Sequence, residues 1–347
     1  MSLNQKVKAS VIIPTYNRCR SLERALQSVA EVHFPHEQLE IVVVDNNSND
    51  DTPNVAHRFA NSDIELKYVK EPRLSFTVAR HTGANAASGE ILLYIDDDVV
   101  VDKRWLSAVI DVFEADETVG IVGGPILPTF EADPPDWIKQ YYPMSGWLSL
   151  LDRGHDLHQT HDAYGPNFSV RKDLLQLVGG FPADTIGVEA EGRPGVVEKI
   201  YVGSGDVGLC ARVRKAGYKV MYAPGALVHH VIPPVRLTKK WWHSRFAGEG
   251  CYHALTQQYE NEQGPASLLM RGLHSTWKAA KTAMRFAGSA AMRSGKERYE
   301  FRISYHLSRA RVELALARRP DLARRLWDIA LTGVPPHDID QLVRLLP

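Results

Sequence analysis

The stretch SGEILLYIDDD, residues 88–98, decides the reading of this chain. Glu90–Asp96 has the length and apolar content of a buried strand, and it runs directly into Asp96, Asp97 and Asp98. Three adjacent carboxylates repel one another, and burial either raises their pKa values or demands a cation. Alternation along an extended chain puts Asp96 and Asp98 on one side and Asp97 on the other. A hard divalent ion with oxygen ligands, shared with a diphosphate, satisfies such a cluster. The competing reading is an exposed acidic turn capping a helix over Asp102–Phe113.

Outward from this strand the pattern repeats. Ser10–Pro14, Glu40–Asp45 and Val119–Gly123 are further short apolar runs. Leu22–Val32, Phe76–Ala87 and Arg104–Phe113 carry apolar residues at i, i+3 and i+4, with Ser75 as the N-cap of the second. Strands alternating with helices predict an α/β fold with a mostly parallel sheet covered on both faces. Ligands of such sheets bind beyond the carboxyl ends of the strands, where the polar residues of this chain collect.

The first strand ends in Pro14-Thr15-Tyr16-Asn17-Arg18, a crevice-facing turn or a plain connection. The second ends in DNNSNDDT, residues 45–52, more polar than a helix cap requires. Asp45 there is an acceptor for a base or ribose edge. Arg80, in a helix of small residues, is placed to pair with a phosphate, with the Asp triplet, or with a surface acid.

The second half is less regular. Residues 125–163 read as a long irregular segment with Trp137 and Trp147, a functional loop or a hydrophobically anchored one. GPNFSVR, 165–171, reads as a strand entering a helix. Asp206 follows a Gly- and Glu-rich loop and stands where an N-cap would. Capping and catalysis are compatible, since a capped carboxylate is rigidly aimed. The last two strands are Tyr218–Ala223 and Ala226–Val231. The second carries His229 and His230, of which at most one enters a site. Two carboxylates and one imidazole make a sensible Mn2+ or Mg2+ set.

Length and charge bound the rest. At 347 residues, about two domains are expected. The 41 basic and 41 acidic side chains cancel, which argues against a nucleic-acid binder. Residues 1–235 hold 22 Lys/Arg against 31 Asp/Glu, whereas 236–333 hold 18 against 8. The composition changes near Pro233-Pro234, so a domain is expected over 1–235 and a helical region over 236–347. That region, with Trp242 and Phe246 at i, i+4 and a basic amphipathic stretch over 270–286, suits helices packed on the catalytic part. It also suits a membrane surface or a homodimer contact. No apolar run approaches the ~18 residues of a membrane-spanning helix, no signal peptide is visible, and Cys19, Cys210 and Cys251 show no metal or disulfide spacing. A cytoplasmic protein, at most at the inner face of a membrane, is expected.

Taken in order, VIIPTYNR (11–18), VVVDNNSNDDT (42–52), ARHTGANAASGEILLYIDDDVVVD (79–102), GPNFSVRKDLLQLVGGF (165–181) and GDVGLCARVRKAGYKVMYAPGALVHHVIP (205–233) resemble family 2 glycosyltransferases of the GT-A fold. The resemblance implies a Rossmann-like, mostly parallel mixed sheet flanked by helices, with an α-helical C-terminal extension. It implies an inverting transfer from a nucleotide-diphosphate sugar to a saccharide or lipid-linked saccharide, in cell-surface polysaccharide or glycan synthesis. Pro14, Thr15, Asn17 and Asp45 would line the nucleotide, and Arg80, Asp96 and Asp97 would complete the donor side. Asp96 and Asp98, the outer acids of a DxD motif, would hold Mn2+ or Mg2+ with His230, or with His229. Asp206 would be the general base, and Asn167 and Trp137 would meet the acceptor. The family's usual first Glu before Asp206 is absent, so Glu189, Glu191 or Glu198 of the 183–203 loop is an alternative base.

Two other readings compete. A sugar nucleotidyltransferase would need a glycine-rich, basic loop after the first strand, and PTYNRCRS is not one. A non-catalytic nucleotide-sugar-binding or scaffold protein of the same fold would explain the missing Glu.

Overall fold

A computed structural model describes residues 7–60, 63–139, 146–182, 185–189, 197–201, 205–261, 264–288 and 295–319. The chain forms two compact units. One comprises Met1–Glu131, Tyr142–Phe181 and Gly205–Ile232, and the other Ala132–Tyr141, Pro182–Ser204 and Pro233–Pro347. The main division thus falls at Ile232/Pro233, and two earlier segments group with the helical unit.

The first unit opens with β1 (Ala9–Thr15), α1 (Cys19–Ala30), β2 (Leu39–Asp45), α2 (Thr52–Phe59), β3 (Glu65–Lys70), α3 (Phe76–Ala86) and β4 (Ile91–Tyr94). Next come β5 (Val99–Val101), α4 (Trp105–Ala115), β6 (Val119–Gly123) and β7 (Ile126–Phe130). In the other unit lies α5 (Asp136–Lys139). The first unit resumes with β8 (His158–Thr160), β9 (Phe168–Arg171) and α6 (Lys172–Leu177), and β10 (Thr185–Glu189) pairs with β11 (Val197–Tyr201) in the second. After these come α7 (Gly205–Lys215), β12 (Lys219–Tyr222) and β13 (Val228–Ile232), then α8 (Lys239–Asn261), α9 (Pro265–Gly288) and α10 (Glu297–Arg318).

Eight strands make one mixed sheet in the order β3-β2-β1-β4-β9-β6-β12-β8. The β1–β2, β1–β4, β2–β3 and β6–β12 pairs are parallel, and the pairs made by β9 and by β8 are antiparallel. Every residue of β1, β2, β4 and β6 is buried, which is why these strands read as apolar runs rather than alternating ones. Leu22, Ala25, Leu26 and Val29 of α1 are buried as their spacing predicts. Each such Leu or Val contributes about 1.5–3 kcal/mol on leaving water. Ser75 accepts a hydrogen bond from Val78 N at 3.4 Å and starts α3. Gly83 lets α3 come down onto the sheet, since a Cβ there would overlap Ile12 and press on Val44.

A second, three-stranded sheet has the order β5-β13-β7. It draws on the segment expected to be irregular, which in fact supplies β7, α5 and β8. These elements are only three to five residues long, and Pro128 interrupts the first, so no long apolar run marks them. Because His230 pairs with Val99, and Val231 N donates to Asp98 O at 2.8 Å, this sheet sets the histidine strand beside the acidic turn.

The helical unit is built on aromatic packing. Trp242 and Phe301 are buried, their rings 5.7 Å apart. Trp137 on α5 stands edge-on to Trp242 at 5.6 Å and lies 5.4 Å from Phe301. The fully buried Glu313 of α10 accepts from Arg271 and Ser275 of α9 at 2.9 and 2.6 Å, and from Arg309 at 3.0 Å. Among the described residues, no helix is long and apolar enough to cross a membrane.

Candidate active site

The site grows from strand register. β1 and β4 run parallel with Ile12 opposite Tyr94, so the same offset carries Thr15 to Asp97 beyond the strand ends. Thr15 Oγ1 donates to Asp97 Oδ2 at 2.8 Å. Arg18, in the turn after β1, reaches across with Nη1 3.0 Å from Asp97 Oδ1 and 2.9 Å from Asp98 Oδ2. Burial pushes the Asp97 carboxyl up to about 6, against the pull of Arg18 and with the help of Asp98. Arg18 was named in the sequence only as a turn residue. Its sign there is an arginine just past a strand whose parallel neighbour ends in acids.

His230 and Asp98 form the second element. His230 is buried, and its Nδ1 lies 2.9 Å from the Leu148 carbonyl. A carbonyl only accepts, so Nδ1 carries the hydrogen. Nε2 then faces Asp98 Oδ1 at 3.2 Å, and two acceptors at that distance attract one another only through a cation, whether proton or metal. A carboxylate oxygen and an imidazole nitrogen are also ligands that a divalent ion takes, and the Leu148 carbonyl fixes the ring as an outer-shell partner does. His229 is the half-buried neighbour on the opposite strand face. Among the described residues, no group of three or more His, Cys, Asp or Glu side chains closes into a metal shell. Arg18 occupies the remaining edge of Asp98.

Asp96 ties the parts together. Burial raises its pKa, Asp98 and Asp206 raise it further, and Arg80 and His230 oppose them. All five side chains thus share one electrostatic neighbourhood.

Arg80 reaches Asp206. Its Nη1 is 3.1 Å from Asp206 Oδ1, and its guanidinium lies 4.2 Å from the Phe76 ring centre and 4.8 Å from that of Phe181. Asp206 Oδ2 accepts from Gly165 N at 2.6 Å. Gly165 is glycine for a steric reason: a Cβ would overlap the Arg80 guanidinium. Asp206 sits in the first turn of α7, so its carboxylate is fixed on two sides and still 21% exposed. Gly165, Phe76 and Phe181 were not singled out in the sequence, because nothing local marks residues that meet across the fold.

The residues expected to line a nucleotide form a laced rim. Asn17, at φ 53°, donates from its backbone to Ser48 Oγ at 2.9 Å and accepts from Asn49 N at 2.8 Å. Asp50 accepts from Cys19 N at 3.0 Å. Asp45 is fully buried, with Oδ1 held by Ser48 N at 2.7 Å and Oδ2 by Tyr68 Oη at 2.5 Å. Pro14 is buried in β1.

The two acceptor-side candidates belong to different units. Asn167 is buried, and its amide joins Trp105 Nε1 at 2.9 Å to the carbonyls of Pro125 and Ala226 at 3.2 and 2.7 Å. Trp137 belongs to the helical unit's aromatic cluster. The side chains of Glu189, Glu191 and Glu198 lie outside the described residues.

A mixed sheet with acids and a histidine at its strand ends defines a class, and comparison with known proteins names it. Residues 10–179 match the model of glycosyl transferase family 2. A glucosyl-dolichyl phosphate glucuronosyltransferase of Haloferax volcanii is 26% identical over 68% of this chain and 72% of its own length. The glycosyltransferase AglE of the same organism is 27% identical over 65% and 67%. The solved mannosyltransferase PcManGT of Pyrobaculum calidifontis, in complex with GDP-Man and Mn2+, superposes with a TM-score of 0.58 at 22% identity, covering 88% of this chain and 86% of that one. The chain is thus similar to glycosyl transferase family 2 over residues 10–179. It has the GT-A fold and is an enzyme of the hexosyltransferase type.

Proposed function

We propose that this enzyme moves a sugar from a nucleotide-diphosphate sugar to a hydroxyl of a saccharide or lipid-linked saccharide, with inversion at the anomeric carbon. The pathway is the synthesis of a cell-surface polysaccharide or glycan, at the cytoplasmic face of a membrane. One observation carries the reading: His230 Nε2 lies 3.2 Å from Asp98 Oδ1, inside the same charge cluster as Asp96, Arg80 and Asp206. The lipid-linked acceptor class is supported by the relative named for glucosyl-dolichyl phosphate.

Asp98 and His230, with Asp96, would hold Mn2+ or Mg2+, which when bound supplies positive charge to the diphosphate leaving group. Arg18 holds Asp97 and the far edge of Asp98, keeping the acidic turn from splaying under its own repulsion. Pro14, Thr15 and Asn17 line the nucleotide. Asp45 acts on the base side through Ser48 and Tyr68, whose contacts set the shape of the rim. Asp206 takes the proton of the acceptor hydroxyl as that oxygen attacks. Arg80 and Gly165 N aim it, leaving the exposed edge of the carboxylate for the acceptor.

The test is a donor screen on the full chain. UDP-, GDP- and dTDP-sugars are offered with and without Mn2+, and thermal stabilisation selects the donor. A polyprenyl-phosphate-linked sugar is then the acceptor, with the anomeric configuration of the product read by NMR. One donor should stabilise the protein in a metal-dependent way and give an inverted linkage. No stabilisation by any donor, or retention of configuration, would overturn the reading.

A further inference from the structure

We propose that α9 docks on an anionic lipid surface, lying in the plane of the headgroups. The helix is 24 residues long, about 36 Å at 1.5 Å per residue. Its circumference divides into three sectors at 100° per residue. Leu268, Gly272, Ser275 and Ala279 form the buried seam, where Ser275 and Arg271 reach Glu313 of α10 and Gly272 abuts Leu314. On another sector Leu269, Met270, Leu273, Trp277 and Met284 form a continuous stripe, each 47–67% exposed. The remaining flank carries His274, Lys278, Lys281 and Arg285.

Two features select the occupant. Not one of the 24 residues is acidic, so the charge along the flank is of one sign and complements an anionic surface. In an antiparallel twofold contact of this face with itself, the two basic flanks would line the same side of the pair, which opposes that dimer. Lys281 already holds its ammonium over the stripe, Nζ 4.7 Å from the Trp277 ring centre, and long basic side chains can lay their stems along apolar surface while their charges reach water. A helix with a wide apolar face, a basic flank and no capacity to span is the form that binds at the headgroup boundary. This inference stands on α9 alone, so its failure leaves the donor and acceptor reading untouched.

The test is co-sedimentation of the full chain with phosphatidylcholine vesicles, plain or containing about one third phosphatidylglycerol. Binding is expected only to the anionic vesicles and should weaken as salt is raised. Lys278→Glu with Lys281→Glu should lower the bound fraction roughly tenfold or more. Leu273→Glu with Trp277→Glu should abolish it, and both variants should melt near the wild-type temperature because the positions are exposed. Failure of the folded wild type to bind anionic vesicles overturns the proposal, as does binding that neither variant changes. A wild-type dimer that the Trp277 variant turns into monomer, with no vesicle binding, assigns the stripe to a second copy and also overturns it.

Discussion

Arg80 and Asp206, 126 positions apart in the chain, form an ion pair 3.1 Å long between α3 and the first turn of α7. The arginine is buried between two phenyl rings, and the aspartate, bonded at both oxygens, is 21% exposed. Under the proposed function the pair would work as a mount, its buried half holding the half that meets the acceptor.

Replacing the open half tests the base. Asp206→Asn should lower turnover about 10²–10⁴-fold, the range of general base catalysis, while donor affinity measured by thermal shift is unchanged. It should also cost about 2 kcal/mol of stability, less than a fully buried pair because Asp206 is 21% exposed. Turnover at the wild-type rate would move the base to another residue.

Replacing the buried half separates aiming from leaving-group binding. Arg80→Lys keeps a charge but not the planar stack on Phe76 and Phe181. The expected result is a fall in kcat with little change in donor KM. A rise in donor KM at constant kcat would instead put Arg80 on the diphosphate.

Gly165→Ala should reproduce the Arg80 defect without touching a charge, because the added methyl displaces the guanidinium. Loss of kcat at retained donor binding is the expected signature, and wild-type kinetics would show that the pair tolerates displacement.

His230→Ala should weaken Mn2+ binding, followed by donor-dependent protein fluorescence across a metal titration, by at least roughly tenfold. His229→Ala should leave it unchanged, since that ring lies on the other strand face. Equal effects of the two would mean that neither ring is a ligand.

A pH effect is expected away from the site. Burial, then Lys278, Arg309, Arg302 and His274, lower the His306 pKa from 6.5 to about 4. The unfolded chain binds that proton more readily than the folded one between those values, so this contribution to stability is present above pH 6.5 and is lost as pH falls toward 4. The melting temperature of wild type should drop more between pH 7.5 and 5 than that of His306→Gln, and parallel curves would refute the assignment.

The strands that build the cleft were legible because they are buried on both faces. β1, β2, β4 and β6 had no solvent side to alternate with, so each appeared as an apolar run ending at a polar turn. β3 was not, since ELKYVK at the sheet edge is half exposed and strongly charged. β5, only three residues long, was hidden between the acidic turn and α4. At the site, residue type was readable and partnership was not. The DDD triplet and His230 suggested cation ligands by their type, whereas that Arg80 faces Asp206 depends on packing 126 residues away. Asn167 was expected at the acceptor only through the family resemblance of GPNFSVR, whereas its amide spends itself on Trp105 and two carbonyls in the interior.

The lacing of Asn17 to Ser48 and Asn49, and of Asp50 to Cys19, has a practical corollary for redesign. Neither segment can be transplanted singly from a relative with another base preference, because each would arrive without the counterpart that shapes it. A donor swap has to graft residues 14–19 and 45–52 as one cassette.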